Sequence, residues 1–470
     1  MLFCSPFFIF GFLPFFLLLF FFSHNKIRDY ILLTGSILFY LWGEPLFCCI
    51  ALISSFVDHF ICKLIYKINI KNTKKRFYLS FGIIINLSLL VYYKYSTFIL
   101  DNLIIFLPSL HYSSDFFKNI LPIGISFITF EKITYLVDIY HGSGKPAASL
   151  LKYLNYIFLF PKLLAGPIVK YHEIEHQLHQ RLILSTDIIV GFKRFIMGLI
   201  KKLLIADTCA EIVNQIFSLD ANHLSCNHAW LGLFSFTLQI YFDFSAYSDM
   251  ALGIARMLGF ILNENFNMPY ISTSFTEFWR RWHISLSTWI RDYLYIPLGG
   301  NRVGKKRRYL NLWICFLIAG LWHGANWTFV IWGLYNGIFL IIDKLFWLKV
   351  SNKIPKLVSV AVTFPLIGFG FVIFRSSSFQ QIYYYLLALF SLNHPIFNYV
   401  EITSNAIVSL IFGAIISFIP LFPGYSNVTK GCLSSKFYLL INNLLLSVLG
   451  IFAFCKSVAI NFNPFLYFKF

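Results

Sequence analysis

The sequence predicts an all-α polytopic membrane protein, with about 11 transmembrane helices at ~20 apolar residues each and re-entrant and interfacial helices between them. Three observations carry that prediction. Hydrophobic residues make up 58% of the 470-residue chain and charged residues only 12%, against roughly 25% charged in a soluble globular domain. Apolar stretches recur along the chain, near 6–22, 29–42, 44–62, 77–99, 120–137, 150–168, 186–205, 228–248, 309–342, 356–374, 402–422 and 437–456. Basic residues collect in short segments beside these runs, as topology and anionic lipid require. No long polar segment intervenes, so one domain over 1–470 is expected, with its functional core at approximately 120–345.

Taken in order, the first run (7–22) has no basic residue ahead of it and no small-residue cleavage site. It reads as a spanning helix, not a removable signal. Lys26 and Arg28 follow it, and Lys63, Lys67, Lys71, Lys74, Lys75 and Arg76 follow two spans later. The positive-inside rule places both groups in the cytoplasm and the N-terminus outside. Glycine and proline then interrupt "LPIGISF" (121–127) and "FPKLLAGPIVKY" (160–171). Such breaks survive at membrane depth only where protein or a water-filled cavity surrounds the backbone, which marks the middle of the chain as its working part. The net charge of +18 lies beside the spans as topology demands, and no nucleic-acid partner is expected. The nine cysteines include no CxxC pair, so neither a disulfide framework nor a metal site is expected.

Residues 274–293 read as one amphipathic helix lying in the membrane interface. Ser274 and Glu277 have capping-box spacing. At ~100° per residue, Glu277, Arg280, Arg281, Ser285, Ser287, Thr288, Arg291 and Asp292 share one arc, while Phe278, Trp282, Leu286, Trp289 and Tyr293 share the other. His283 falls on the boundary, facing neither bulk water nor lipid. Arg280 and Arg281, with Arg302, Lys305, Lys306, Arg307 and Arg308, form a basic surface. It serves topology and lipid phosphate, or docks an anionic cofactor such as coenzyme A, since arginine forks suit phosphate.

Three further constellations stand out. His323 lies inside an apolar run, 310–342, too long for one untilted span, so a break near 324–326 is expected. Gly320 and Gly324 flank the histidine and are expected to leave space beside it. An ionisable residue at membrane depth is a functional candidate; the alternative is a neutral histidine hydrogen-bonded in the bundle. "LQIYFDFSAYSDM" (238–250) puts Asp243 and Asp249 in a second apolar run. Buried carboxylates need partners, so these either orient a histidine and line a polar channel, or hold helices together. "YHEIEHQLHQ" (171–180) contains HExxH, formed by His172, Glu173 and His176. On a helix that spacing suits a zinc protease, but the segment is polar on all sides.

These residues carry a resemblance. "YFDFSAYSDMALGIARMLGF", "NFNMPYISTSFTEFWRRWHISLSTWIRDYLYIPLGGNR" and "GLWHGANWTFVIWG" resemble the core of the membrane-bound O-acyltransferase family, in the branch of alginate O-acetyltransferases (AlgI type) and peptidoglycan O-acetyltransferases. "LPIGISFITFEKITYLVDIY", "FPKLLAGPI" and the closing "NPFLYFKF" extend the match nearly end to end. The resemblance implies a ring of helices around a central funnel. It implies a cytoplasmic donor, acetyl-CoA, and an acceptor or partner protein outside. His323 and His283 match the two motif histidines of the family, and the HExxH segment falls where the family has a polar loop.

Acyl transfer from a thioester to a hydroxyl needs a base for the hydroxyl proton, and a histidine suits that role. His323 is the expected base. His283 is an accessory that positions the donor or the reacting carbonyl. Arg280 and Arg281 are candidate donor-binding residues, and Asp243, Asp249, Trp282 and Asn326 candidate channel or supporting residues. Ser285 is a possible nucleophile without a local triad. The expectation is an enzyme of the bacterial inner membrane that acetylates a cell-envelope polysaccharide with a periplasmic partner protein, among membrane lipids. The alternatives are an exporter that does no chemistry and the HExxH zinc protease.

Overall fold

The computed structural model describes residues 1–470 apart from 69–72, 108–120, 221–223, 392–399, 426–434, 460–463 and 467–470. Lys71 and most of "NPFLYFKF" lie outside the described residues. Among those described, all regular structure is helical. Among the described residues, six helices are long and apolar enough to cross a membrane: Pro45–Lys67, Thr73–Phe106, Trp327–Ser351, Lys356–Arg375, Ser404–Leu421 and Lys436–Ala459. The expected count was about 11 from apolar run length alone. Several of the other apolar runs form shorter helices, which length and composition alone do not count as spans. The run at 150–168 gives Leu150–Phe158, of 9 residues, and the single turn Phe160–Leu163 around Pro161.

The chain forms two compact units, Met1–Phe195 with Met250–Asn263, and Ile196–Asp249 with Glu264–Phe470. The first unit contains α1 (Leu13–Phe22), α2 (Arg28–Leu41), α3 (Pro45–Lys67), α4 (Thr73–Leu90), α5 (Ser96–Phe106), α6 (Ile125–His141), α7 (Leu150–Phe158), α8 (Phe160–Leu163), α9 (Tyr171–His179) and most of α10 (Ser185–Ile200). Buried charge pairs join its helices. Lys132 of α6 meets Asp58 of α3 at 3.1 Å, and Asn86 of α4 donates to the same carboxylate at 2.9 Å. Lys162 of α8 pairs with Glu131 of α6. Where no water reaches, such pairs hold only with geometry this close.

The second unit contains α11 (Asp207–Ser218), most of α12 (Cys226–Met257), α13 (Phe275–Arg281), α14 (Ile284–Ile290), α15 (Lys305–His323), α16 (Trp327–Ile342), α17 (Leu348–Ser351), α18 (Lys356–Arg375), α19 (Phe379–Ala388), α20 (Ser404–Phe418) and α21 (Lys436–Ala459). Its core is aromatic-rich. Phe278 and Trp282 pack on Phe371 of α18 at ring-centroid distances of 6.2 and 5.2 Å. The expected single interfacial helix at 274–293 is instead two short helices, α13 and α14, that break at Trp282 and His283. Ser274 caps the first by accepting from the Glu277 amide at 3.1 Å, as its spacing suggests. Phe278, Trp282, Leu286 and Trp289 are buried in protein. Helical periodicity in a sequence reveals an apolar face without saying whether lipid or protein covers it.

Candidate active site

α15 and α16 form a hairpin around 324–326, where the break is expected. His323 is the last residue of α15. Asn326 caps α16 by accepting from the Thr328 amide at 3.1 Å and is exposed, so its side chain supports the turn. Gly320 and Gly324 do not leave space beside the histidine. A Cβ on Gly320 would lie 2.2 Å from the Phe329 carbonyl oxygen, and one on Gly324 would lie 2.1 Å from the Phe329 ring. The two glycines admit the facing helix instead, which fixes where His323 stands.

His323 is only 9% exposed. It meets Trp322, Trp332 and Phe374 edge-on, at centroid distances of 5.0, 5.0 and 5.2 Å. His323, Trp332 and Phe374 border a cavity of about 30 Å³ that Asp243, Trp282 and Leu466 also line. At the ~10–15 Å³ that one water needs, that is room for a guest of two or three heavy atoms.

His283 is 1% exposed and sits between α13 and α14 with φ 44°, in the left-handed region. A side chain rarely adopts that conformation without a surrounding that enforces it. Here the enforcing residue is Asn265, whose backbone carbonyl accepts from the Ile284 amide at 2.9 Å. Its side-chain oxygen accepts from the Ser285 amide at 3.1 Å and the Ser285 hydroxyl at 2.9 Å, and lies 3.2 Å from His283 Nδ1. The imidazole packs against Phe244 at 4.7 Å and Trp322 at 6.1 Å. Trp322 therefore touches both histidines. Burial pushes the His283 pKa down from 6.5 to about 3, so the ring is neutral.

Asp243 accepts from Lys202 Nζ at 2.7 Å through one oxygen and from the Leu466 amide at 2.7 Å through the other. Lys202 also reaches Asp207 at 2.8 Å. Asp243 ties these segments together and is also among the residues lining the His323 cavity. Asp249 is bound by Lys201 at 2.6 Å and is not among the residues lining that cavity.

A second, larger cavity of about 230 Å³ lies against α13, α14, α15 and α16. Arg280, Arg291, Lys344, Thr276 and Ser287 are among its polar lining residues; Trp279, Phe316, Ala319 and Trp332 are among its apolar walls. Trp332 therefore belongs to both cavities. Arg280 faces this space, whereas Arg281 turns away. Arg281 binds Glu277 at 2.9 Å and the Asn267 carbonyl at 3.0 Å.

In the first unit, His172 and Glu173 of the HExxH stretch serve local structure. His172 Nδ1 lies 2.8 Å from Asp138, and Glu173 pairs with Lys170 at 3.4 Å and accepts from Asn263 at 3.1 Å. Among the described residues, no group of three or more His, Cys, Asp and Glu could hold a metal ion. Sequence reasoning overlooked Lys202, Asn265, Phe374 and Leu466. The adjacent lysines within the run at 186–205 were a readable signal, because buried cations imply buried carboxylates. Asn265 gave none, standing 18 residues before the histidine it contacts.

Comparison with known proteins gives the family. The pattern of the membrane-bound O-acyltransferase family matches residues 145–355. The chain belongs to that family. It is a multi-pass membrane protein and an O-acetyltransferase. It is 40% identical over 392 residues to the probable alginate O-acetylase AlgI of Pseudomonas aeruginosa, covering 83% of this chain and 75% of that one. Identity to the probable alginate O-acetylase AlgI of Pseudomonas putida is 36% over 487 residues, with 100% of both chains covered. Identity to the peptidoglycan O-acetyltransferase of Helicobacter pylori is 35% over 428 residues, covering 84% of this chain and 80% of that one.

Proposed function

We propose that this enzyme moves an acetyl group from cytoplasmic acetyl-CoA across a bacterial inner membrane to hydroxyls of a cell-envelope polysaccharide, alginate-like or peptidoglycan. A periplasmic partner protein completes delivery. About 11 spanning helices around a central funnel belong to the same reading, the shorter apolar helices crossing beside the six long ones. One observation carries the proposal: Trp332 is a common wall of the His323 cavity and of the cation-rimmed cavity at Arg280. The larger cavity suits a phosphate-bearing thioester, with arginine and lysine at the polar end and aromatic and aliphatic walls beyond. The smaller one suits a two-carbon acyl group, because about 30 Å³ between tryptophans and phenylalanines leaves little more room.

His323 takes the proton of the incoming hydroxyl while the oxygen bonds to the thioester carbonyl carbon. As the carbon–sulfur bond breaks, the imidazolium returns that proton to the leaving thiolate. A general base of this kind contributes ~10²–10⁴-fold. The proposal is tested by measuring acetyl per unit of envelope polymer, alongside protein level, for His323→Ala and His323→Gln. Loss of acetylation at normal protein level is expected. Near-wild-type acetylation in either variant overturns the base and favours an exporter that does no chemistry.

A further inference from the structure

The contacts around Asn265 decide a question that the position of His283 leaves open, namely which ring nitrogen carries the proton. Asn265 is fully buried. The orientation of its amide is fixed independently of the histidine. The Ser285 backbone N–H donates at 3.1 Å to the Asn265 side-chain atom nearest it. A backbone N–H only donates, so that atom is the carbonyl oxygen and not the amide nitrogen. The Ser285 hydroxyl donates to the same oxygen at 2.9 Å. His283 Nδ1 lies 3.2 Å from this oxygen. An unprotonated Nδ1 there would set lone pair against lone pair. With a proton on Nδ1 the contact is a hydrogen bond, and the Ser285 oxygen, 3.5 Å from Nδ1, accepts on the same side. Only the Nδ1-protonated ring satisfies each of these contacts, and a neutral ring then keeps its lone pair on Nε2.

We infer that Asn265 is a positioning residue that holds His283 as the Nδ1–H tautomer, making Nε2 a hydrogen-bond acceptor in acetyl transfer. This rests on the reading that His283 works in that reaction, and it narrows the role expected for the residue. A ring that accepts at Nε2 takes a hydrogen bond from a hydroxyl, a thiol or an amide N–H. It cannot donate one to the thioester carbonyl, so polarising that carbonyl is not its function. The same asparagine holds the left-handed backbone at His283 through the Ile284 amide. Conformation and tautomer therefore have one source.

The first test is the pH dependence of acetyl transfer from radiolabelled acetyl-CoA into envelope polymer, in membranes carrying full-length wild type or Asn265→Asp. A carboxylate facing Nδ1–H stabilises the imidazolium and raises its pKa. The acid limb should therefore move up by at least about one pH unit, with activity recovered on the alkaline side. A merely structural asparagine predicts a uniform loss with an unshifted limb, and that result overturns the inference. If Asn265→Asp does not accumulate, nitrogen NMR of ¹⁵N-histidine-labelled wild type reads the tautomer directly, with His283→Asn identifying the signal. A protonated Nδ1 upholds the inference and a protonated Nε2 overturns it. Active His323→Ala would defeat the base assignment alone, whereas inactive His323→Ala with an unshifted Asn265→Asp limb would defeat only this inference.

Discussion

His172 in the first unit and His323 in the second each belong to a pattern that could carry chemistry, and their surroundings separate them. The His172 side chain is 37% exposed, its Nδ1 engaged by Asp138, and Glu173 is held by Lys170 and Asn263. His323 is buried among Trp322, Trp332 and Phe374 and opens on a cavity. The HExxH spacing is the more familiar signal, yet its groups are taken up in fastening α9. The lesson is that the environment of a histidine, more than the motif around it, tells what its nitrogen can reach. The largest expected effect follows from this contrast. His323→Ala should lower envelope acetylation by about 10²-fold or more. His172→Ala and Glu173→Gln should leave it within about twofold, since neither touches the site. Acetyl per unit polymer, normalised to protein level by blot, measures all three. A loss with His172→Ala as deep as with His323→Ala would erase the distinction.

The buried ion pairs of the two units extend the comparison. Lys132–Asp58 in the first and Lys202–Asp243 in the second are equally enclosed, with side chains 4% exposed or less. Removing either lysine strands a carboxylate, so Lys132→Met and Lys202→Met should each destabilise on the order of 3–5 kcal/mol. Thermal unfolding of detergent-purified protein reads that loss. The variants should differ in activity per folded molecule. Asp243 and Leu466 line the His323 cavity, so losing Lys202 should disturb catalysis, whereas losing Lys132 should lower only the amount of folded protein. Equal specific activities would show that Asp243 is structural alone.

Much of this was legible in the sequence. Hydropathy predicted the helical membrane class, and the length of the run at 310–342 predicted the break after His323. Ser274 and Glu277 predicted the start of α13. Three features were not legible, each for a physical reason. Glycine spacing does not distinguish a gap from a close helix approach, and at Gly320 the space holds Phe329. Periodicity carried a helix straight through Trp282 and His283, because the contact that breaks it comes from Asn265, a long-range partner. Composition treats Arg280 and Arg281 alike, although neighbours on one helix project about 100° apart.

That last difference yields the third prediction. Arg280→Ala should raise the apparent KM for acetyl-CoA in membrane vesicles by about tenfold, the scale of one charge-assisted hydrogen bond. Arg281→Ala should leave it unchanged and weaken only the Glu277 pairing. An equal rise for both would point to general attraction by a basic surface rather than to a cavity with one arginine aimed into it.

The smallest expected effect concerns acid stability and isolates His283 from every other histidine. Its ring is buried neutral, with the folded pKa depressed from 6.5 to about 3. Between those values the unfolded chain binds the proton and the folded one does not, so unfolding takes up a proton and stability falls as pH falls. Well above pH 6.5 both states are neutral at this site and it contributes no pH dependence; well below about 3 both are protonated and the slope ends. Over the first pH unit below that upper bound the change is about 1 kcal/mol. Replacing His283 with asparagine, which does not titrate, should remove this part of the slope whatever it does to absolute stability. Thermal unfolding of wild type and His283→Asn across that interval, each against its own value at pH 7.5, separates the two effects. Parallel curves would mean that His283 is solvated and titrates normally, and the neutral, enclosed imidazole assigned to it would have to be given up.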